Sequence, residues 1–541
     1  MQGLIGPLKE LAEFEELCKN KKKDVGMIRV CGCVNSQKSH MMYALGDGCK
    51  YKVIACSSET KAKQIYEEYR FLDSNTYLYP AKDFLFYQAD IRSKELVKQR
   101  MEGIQAVLSG EPVTVVTSLD GFMDHLAPKE SIAEKVLKIQ NDSVLKLDEM
   151  AEKLSVIGYD REVQVEGPGQ FAVRGGILDI YPLTEELPVR IELWGDEVDS
   201  IRTFDVESQR SIENLMDIVI YPAVEFPQNG EKGVSFLDYF PPEDTILFLD
   251  EPVRLVERGQ NIEDEFMEAQ KKRLESGYDL EEEEAKIFPV TEILKKINCY
   301  SSIGFYALGM KCKGLEVRES YEIQAKSVNP YNNSFEMLTQ DLKRLKRNGY
   351  RVILLSGSRT RAKRLAEDLR DYNLSSYYSE DLDREVKPGE IMTAYGYIAE
   401  GYEYPMLKFT VIAESDIFGK RKKKKKRKTY EGRKIQSFSE LKPGDYVVHE
   451  NHGVGVYQGI EKIVVDKISK DYMKISYAQG GNLYIPATQL DLIQKYASAD
   501  AKKPKLNKLG TQEWNRTKTK VRGAVKEIAR DLVKLYAARQ E

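Results

Sequence analysis

The sequence predicts a multidomain α/β protein that contains an antiparallel β insert and a small β-barrel module. The 541 residues correspond to about three to four domains at roughly 150 residues per domain. Short apolar runs alternate with helix-like stretches over much of the chain, which is typical of parallel sheets. Two other regions consist of short strands separated by glycines, which is typical of antiparallel structure.

Residues 1–128 are predicted to form the first part of an α/β domain. Its expected strands begin at Met27, Lys52, Thr76 and Val113, and its longer helices are expected over 59–71 and 93–108. Short buried strands that alternate with helices favour a parallel sheet of the kind that binds nucleotides.

Residues 129–222 are predicted to form an inserted antiparallel module. Its strands of alternating polarity are expected over 161–165, 171–174, 177–181 and 189–194. Gly-Pro-Gly at 167–169 and Gly-Gly at 175–176 separate these strands and supply the expected turns.

The rest of the chain divides into five predicted segments. These are the second part of the first α/β domain (223–328), a second small α/β domain (329–419), a basic linker (420–439), a β module of five short strands (440–498) and a basic connector helix (499–541). The linker begins with nine consecutive Lys and Arg residues at 420–428, and such a block repels itself, so disorder is expected there. The connector helix reaches Glu541 without a stop signal, which favours a chain that continues.

Composition and charge argue against several classes of protein. No run reaches the roughly 18 to 20 apolar residues that cross a bilayer, and the first residues lack a signal-peptide pattern. The seven cysteines include one close pair, Cys31-x-Cys33, without a second pair at zinc-ligand spacing. His449 and His452 lack a third ligand nearby. A cytoplasmic monomer with reduced thiols, no bound metal and no membrane partner is expected.

One segment after a predicted strand resembles a phosphate-binding loop. It contains Gly32, then Gln37 where a second glycine is required, then Lys38 and Ser39. The second glycine normally lets backbone amides close around phosphates without interference from a Cβ atom. The apolar strand that ends in Asp250 and Glu251 resembles a magnesium-holding strand. We interpret these residues as a degenerate nucleotide site that keeps the fold without the chemistry.

Features that favour binding to partners are stronger than those that favour catalysis. The insert places basic and aromatic groups on or beside its strands, namely Arg161, Phe171, Arg174 and Tyr181. The β module contains the apolar strand Ile463, Val464 and Val465 beside charged residues, and an exposed strand of this kind pairs readily with a partner strand. The alternative interpretation of the residues in the insert is that they only stabilise its strands. The alternative for the apolar strand of the β module is that it is buried in the core of the module.

Several long strings, in the same order along the chain, resemble bacterial transcription-repair coupling factors. Phe171-Ala-Val-Arg-Gly-Gly-Ile-Leu-Asp-Ile-Tyr-Pro and Phe204-Asp-Val-Glu-Ser-Gln-Arg-Ser resemble their UvrB-homology region. The segment that begins at Lys442 is similar to the start of their RNA polymerase-interacting domain, which is a Tudor-like barrel.

The resemblance implies a role for each part of the chain. The first 328 residues would be UvrB-like, with an insert that recruits UvrA through Arg161, Phe171, Arg174 and Tyr181. The β module would dock on the β subunit of RNA polymerase, with Ile463, Val464 and Val465 as the contact strand. The ATP- and Mg²⁺-dependent translocase motor of the full-length parent would follow the connector helix. No residue of this chain would then be catalytic, and it would need no cofactor.

Two alternatives come from other classes of protein. One is a nucleotide-dependent DNA enzyme that uses Lys38, Ser39, Asp250 and Glu251. The other is a DNA-binding protein that attracts phosphates through the basic run at 420–428 and the C-terminal helix.

Overall fold

The computed structural model describes most of the chain and leaves several segments outside the description. The described residues are 2–82, 94–206, 208–227, 230–275, 287–419, 433–434, 441–449, 452–465, 468–486, 493–496 and 504–508. The basic run at 420–428 and nearly all of the predicted connector helix lie outside these ranges, as do the side chains of Ile463, Val464 and Val465.

Helices occur mainly in the first three quarters of the described chain. They are α1 Gln2–Ile5, α2 Ala12–Asn20, α3 Asn35–Leu45, α4 Glu59–Leu72, α5 Lys94–Leu108, α6 Lys129–Glu134, α7 Leu147–Val156, α8 Pro252–Glu275, α9 Val290–Ile297, α10 Phe335–Arg347, α11 Arg359–Asp371 and α12 Glu414–Phe418.

The strands of the first half are β1 Gly26–Cys31, β2 Tyr51–Cys56, β3 Thr76–Tyr79, β4 Val113–Ser118, β5 Leu137–Gln140, β6 Asp160–Arg161, β7 Gln170–Arg174, β8 Ile177–Tyr181, β9 Val189–Trp194, β10 Glu197–Phe204, β11 Ser211–Leu215, β12 Asp217–Ile220 and β13 Thr245–Asp250. The strands of the second half are β14 Ser301–Phe305, β15 Val317–Glu322, β16 Lys326–Ser327, β17 Arg351–Ser356, β18 Tyr377–Ser379, β19 Ile391–Tyr395, β20 Tyr402–Tyr404, β21 Phe409–Ala413, β22 Arg433–Lys434, β23 Tyr446–His449, β24 Gly453–Val465, β25 Ile468–Ser476, β26 Asn482–Pro486 and β27 Ile493–Lys495.

The chain separates into two compact units. The first contains Met1–Leu85, Gln99–Lys138 and Val219–Lys425, and the second contains Phe86–Lys98, Ile139–Ile218 and Lys426–Glu541. The mixed α/β class predicted from the sequence is confirmed by the helices and sheets of these units. In the described part of the chain, no helix combines the length and apolar character needed to cross a membrane.

The first unit is built on a seven-stranded sheet in the order β15-β1-β14-β13-β2-β4-β3. Every pair of neighbouring strands in it is parallel. The inner strands are buried along almost their whole length, because helices cover both faces of a parallel sheet. The helix α4 begins where predicted, since the hydroxyl of Ser58 accepts a hydrogen bond from the Lys61 amide at 3.2 Å.

Residues predicted as a second α/β domain form a sheet of their own within the same unit. Its order is β16-β20-β21-β17-β19-β18, with parallel pairs around β17 and antiparallel pairs toward β16. One hydrophobic cluster joins this sheet to the first one, because it includes Leu8, Met41 and Ile65 together with Leu355 and Val411. The two sheets therefore share one core.

A buried ion cluster joins the chain on either side of the inserted module. The Arg100 guanidinium is fully buried and donates to both Glu225 carboxylate oxygens at 2.8 Å and to Asp124 Oδ2 at 2.7 Å. Asp124 precedes the insert and Glu225 follows it, so one arginine holds both ends of the connection within the first unit. Lys82 adds a second cation, 2.7 Å from Asp124.

The insert contains a six-stranded sheet in the order β11-β10-β9-β8-β7-β6. The pairs from β7 to β11 are antiparallel, whereas β6 and β7 are parallel. The predicted strand at 161–165 is wrong in length, because pairing of β6 stops at Arg161. The turn between β7 and β8 uses Gly175 at a φ of 58°, a conformation that favours glycine.

Among the described residues, the sheet of the β module has six strands in the order β22-β27-β23-β24-β25-β26, and β22 comes from the segment predicted as a linker. The long strand β24 runs without interruption from Gly453 to Val465, which corrects the prediction of short strands alone. The register shifts between Tyr457 and Gly459, and Gly459 has a φ of 118°. The glycine therefore forms a bulge that lets the strand continue instead of turning. Its closure into a Tudor-like barrel stays a prediction.

Candidate functional site

The degenerate phosphate loop lies between β1 and the start of α3 in the first unit. Gly32 follows β1 with a φ of 79°, and a Cβ atom there would approach the Ile323 carbonyl oxygen to 1.9 Å. Only glycine therefore fits at this position. Lys38 and Ser39 lie within the first two turns of α3, as a phosphate loop requires.

Lys38 is buried between the two acids that the sequence singled out. Its Nζ atom lies 2.8 Å from Asp250 Oδ1 and 2.6 Å from Glu251 Oε1. The side chains of Lys38 and Asp250 are only 5% and 2% exposed. Burial lowers the pKa of Lys38, but the two carboxylates outweigh this effect and leave the pKa above its ordinary value. The ammonium group is therefore charged and forms two ion pairs within the protein itself.

The hydroxyl that would hold magnesium is engaged in the same way. The Ser39 hydroxyl donates to Glu68 Oε2, and the Ser36 hydroxyl donates to Glu68 Oε1 at 2.7 Å. The Ala399 amide donates to the same carboxylate at 3.1 Å. Sequence reasoning missed Glu68, because it lies on α4 and nothing in its local pattern marks it as a neighbour of the loop.

Both polar atoms of the Gln37 side chain form hydrogen bonds within the protein. Its Oε1 atom accepts a hydrogen bond from the Val34 amide at 3.1 Å, so it caps α3 where a phosphate would otherwise bind. Its Nε2 atom donates to the Tyr404 hydroxyl at 3.0 Å. The side chain is completely buried. The residue that replaces the second glycine is therefore held by hydrogen bonds to the loop itself and to Tyr404.

His40 completes this network on the next turn of α3. Its Nε2 atom lies 2.9 Å from the Leu4 carbonyl oxygen, which only accepts, so Nε2 carries the proton. The Nδ1 atom, 3.1 Å from the Tyr404 hydroxyl, then accepts. Burial lowers the pKa of His40 to about 4, and the hydrogen bond to Leu4 opposes this shift.

The insert presents the predicted residues on opposite faces of its sheet. Arg174 pairs with Ile177 and Gln170 pairs with Tyr181, so Arg174 and Tyr181 lie on one face. Phe171 lies on the other face and is 0% exposed. Its predicted place on a contact surface is therefore wrong, because its ring packs into the core. Arg161 is exposed at the end of β6.

A second ion cluster holds the exposed face of the insert in place. Asp179 is 1% exposed and accepts from Arg174 at 2.7 Å and from Arg190 at 2.7 and 2.9 Å. The Arg190 guanidinium also lies 4.4 Å from the centre of the Phe204 ring. Arg174 remains 45% exposed, so it is fixed in position while its guanidinium still faces solvent.

In the part of the β module that the structure describes, the second half of β24 has fewer partner strands than the first half. β23 pairs with β24 only over Gly453–Val456. From Gly459 to Val465, β24 pairs with β25 alone among the strands that the structure describes. Ile463 pairs with Lys470 in this extension, so the predicted contact strand has one backbone edge without a partner strand in the described chain.

Comparisons with known proteins match the two candidate binding modules. Residues 137–226 match the UvrB interaction domain, and residues 441–497 match the CarD-like/TRCF RID domain. The chain therefore belongs to the class of proteins that combine both modules.

Curated relatives extend this similarity over nearly the whole chain. The transcription-repair-coupling factor of Bacillus subtilis is 30% identical over 596 residues, which cover 98% of this chain and 50% of the relative. Those of Staphylococcus haemolyticus and Staphylococcus epidermidis are 28% identical and cover 86% of this chain. The resemblance to the N-terminal region of transcription-repair coupling factors is thereby confirmed. The chain spans about half the length of the curated relatives that it matches.

Similarity to solved structures is much looser. A hypothetical ATP-dependent RNA helicase from Sulfolobus tokodaii has 10% sequence identity and a TM-score of 0.21, over 73% of this chain and 82% of that one.

The buried position of Lys38 leads to a prediction about stability. We expect Lys38→Met to lower the free energy of unfolding by about 3–5 kcal/mol, because Asp250 and Glu251 would lose their buried counter-ion. Lys19→Met is the matched control, since its pair with Glu15 is 67% and 64% exposed, and a loss below about 1 kcal/mol is expected. Urea unfolding followed by circular dichroism measures both.

Comparison of the wild type with Lys38→Met distinguishes a structural role of Lys38 from a role in nucleotide binding. We expect Mg-ATP to leave the melting temperature of the wild type unchanged, because a ligand stabilises only a protein that it binds. A rise in melting temperature with ATP that Lys38→Met removes would contradict the interpretation of a filled loop.

The burial of His40 leads to a prediction of how the stability of the first unit depends on pH. Between about pH 6.5 and pH 4, the unfolded histidine binds a proton and the folded one, with its pKa of about 4, does not. Stability should therefore fall as the pH is lowered through this window and become independent of His40 below it. We expect His40→Gln to flatten this part of the pH profile in urea unfolding, whereas His452→Gln should not. An unchanged profile in His40→Gln would show that other groups cause the acid sensitivity.

Proposed function

We propose that this chain is an adaptor in transcription-coupled DNA repair. It would bind the β subunit of RNA polymerase through its β module and UvrA through its insert. The observation that carries the proposal is the presence of a UvrB interaction domain and a CarD-like/TRCF RID domain on one chain. An adaptor needs two separate binding modules, and these two are of the kinds that this repair process requires.

The nucleotide-like part of the chain would then have a structural role. Lys38, Ser39 and Gln37 bind Asp250, Glu251, Glu68 and Tyr404 instead of phosphate or magnesium. A nucleotide would have to break these buried hydrogen bonds and ion pairs before it could bind. This arrangement disfavours the alternative of a nucleotide-dependent DNA enzyme that uses the same residues. ATP and Mg²⁺ would act in the motor of the full-length parent.

The polymerase contact would form along the outer half of β24. An edge strand binds a partner by adding its strand to the sheet, so that backbone hydrogen bonds give affinity and side chains give specificity. The segment Gly459–Val465 supports this mode, since within the described chain it pairs on one side alone. Ile463, Val464 and Val465 would contribute the apolar side chains of the contact.

UvrA would contact the exposed face of the insert. Arg174 and Tyr181 lie on this face. Arg161 is exposed at the end of β6 and pairs with Phe171, so it would reach UvrA only from the edge of the sheet. Arginine is enriched at the centres of protein interfaces because its planar guanidinium makes directed hydrogen bonds to carboxylates and carbonyl groups. The ion pair with Asp179 limits the side-chain entropy that Arg174 would lose on binding.

The proposed polymerase contact predicts the effect of a charge on β24. We expect Ile463→Arg to weaken binding to the β subunit by at least thirtyfold, about 2 kcal/mol, because the interface would bury an arginine without a partner. Titration calorimetry with the N-terminal lobe of that subunit measures the effect.

Asn482→Arg is the matched control, because it adds the same charge to β26 at the far edge of the sheet. If Asn482→Arg abolished binding and Ile463→Arg did not, the contact would lie on β26. If the wild type did not bind at all, the polymerase part of the proposal would fail.

The proposed UvrA contact predicts a loss of affinity without unfolding. We expect Arg174→Ala to weaken UvrA binding about tenfold, while the sheet stays folded because Asp179 keeps both hydrogen bonds from Arg190. Surface plasmon resonance with immobilised UvrA measures the affinity. Arg210→Ala removes another exposed arginine of the insert and should bind like the wild type. Equal losses in both variants would indicate a general effect of positive charge.

A further inference from the structure

The insert exposes a large apolar side chain that the predicted contact residues do not include. Trp194, the last residue of β9, is 85% exposed. Val144 is 78% exposed. Tryptophan carries more apolar surface than other side chains, and leaving it in water forfeits the free energy of its burial. Contiguous exposed apolar surface of this kind is typical of sites that bind a partner.

Strand register places these residues in one row. Trp194 is paired with Glu197 across β9 and β10, and Glu197 forms an isolated bridge with Val144. Residues that pair directly across antiparallel strands point to the same face of a sheet. Val144, Glu197 and Trp194 therefore form a continuous row at the end of the sheet.

The next row on the same face contains Arg174. Ile177 pairs with Arg174 on one side and with Glu192 on the other. Glu192 and Trp194 are two residues apart on β9, so their side chains point to the same face. The tryptophan and the arginine thus belong to adjacent rows of one surface, with the half-buried Ile177 beside them.

Glycines keep the indole ring uncovered. The β7–β8 turn is Gly175-Gly176, and the Leu193 amide donates to the Gly176 carbonyl oxygen at 2.8 Å, so this turn lies beside the end of β9. A Cβ atom added at Gly175 or at Gly195 would meet no atom within 4 Å. No side chain is available from these positions to shield the ring, which leaves it open to a partner.

We propose that Trp194, with Val144 and Ile177, is the apolar anchor of the UvrA-binding face and inserts into an apolar pocket of UvrA next to the partner of Arg174. This inference rests on the proposed function of the insert. An aromatic anchor surrounded by charged residues is the arrangement in which binding energy concentrates. The ion pairs of Arg174 and Arg190 with Asp179 lie in the next two rows of the same face and hold polar groups that are already oriented.

The experiment uses the full chain and two measurements. The sequence contains two tryptophans, Trp194 and Trp514, so Trp514→Phe leaves Trp194 as the single indole reporter. We expect UvrA to shift the emission of this variant to shorter wavelength and to protect it from acrylamide quenching. Tryptophan-free UvrA supplies the partner. Separately, Trp194→Ala should weaken UvrA binding by at least tenfold in surface plasmon resonance.

The control variant lies on the helix next to β6 and β7. Val156 is 50% exposed on α7, which packs beside β6 and β7. Val156→Ala removes an exposed apolar side chain of the same module and should bind UvrA like the wild type. Circular dichroism establishes that each variant is folded, which is expected because Trp194 has few contacts to lose.

The outcomes separate this inference from the proposed function. If the wild type binds UvrA, but Trp194 keeps its emission in the complex and Trp194→Ala binds equally well, the anchor is overturned and the adaptor function stands. If the wild type does not bind UvrA, the proposed function of the insert fails and the anchor fails with it. Loss of binding in Trp194→Ala together with a protected indole establishes the anchor.

Discussion

A buried lysine held by two carboxylates is the interaction on which the nucleotide-like part of this protein depends. Lys38, Asp250 and Glu251 come from α3 and from the end of β13, so their contact joins two elements that are distant in sequence. Each charge would be costly to bury alone, because it loses its hydration. The cluster is therefore stable only when all three groups stay together, and a ligand that competed for Lys38 would leave two buried acids without a cation.

The other polar side chains of the loop are likewise paired with groups of the protein. Glu68 satisfies the hydroxyls of Ser36 and Ser39, and Gln37 links the start of α3 to Tyr404 of the second sheet. These contacts join α3 to α4 and to the second sheet, so the polar groups of the loop contribute to the packing of the first unit.

The binding modules use a different property of the polypeptide, which is the alternation of side chains along a strand. In the insert, alternation sends Phe171 into the core and Arg174 to the opposite face, so one short strand contributes to both the core and the surface that we propose binds UvrA. In the β module, β24 continues past the bulge at Gly459, where β23 no longer pairs with it. Among the described strands, this second half of β24 pairs with β25 alone, so one of its backbone edges has no partner strand there. A single glycine thus separates the part of the strand that builds the module from the part that we propose binds polymerase.

The sequence alone determined the elements and their class, because periodicity and turn residues act over a few residues. The strands that begin at Thr76 and Ile177 and the helix that begins at Glu59 start where they were predicted to start. The resemblance to transcription-repair coupling factors likewise followed from contiguous strings such as the one that begins at Phe171. Lys38, Asp250 and Glu251 were also recognised as a set, since their motifs are local.

Only the tertiary structure decided what these residues contact. No local pattern places Glu68 or Tyr404 beside the loop, because they are brought there by the packing of α4 and of a second sheet more than 300 residues away. The burial of Phe171 and the exposure of Trp194 depend on which face of the sheet meets the core, and both residues are aromatic in the sequence. Composition identifies a side chain that favours burial or binding, but long-range packing determines which of the two it does.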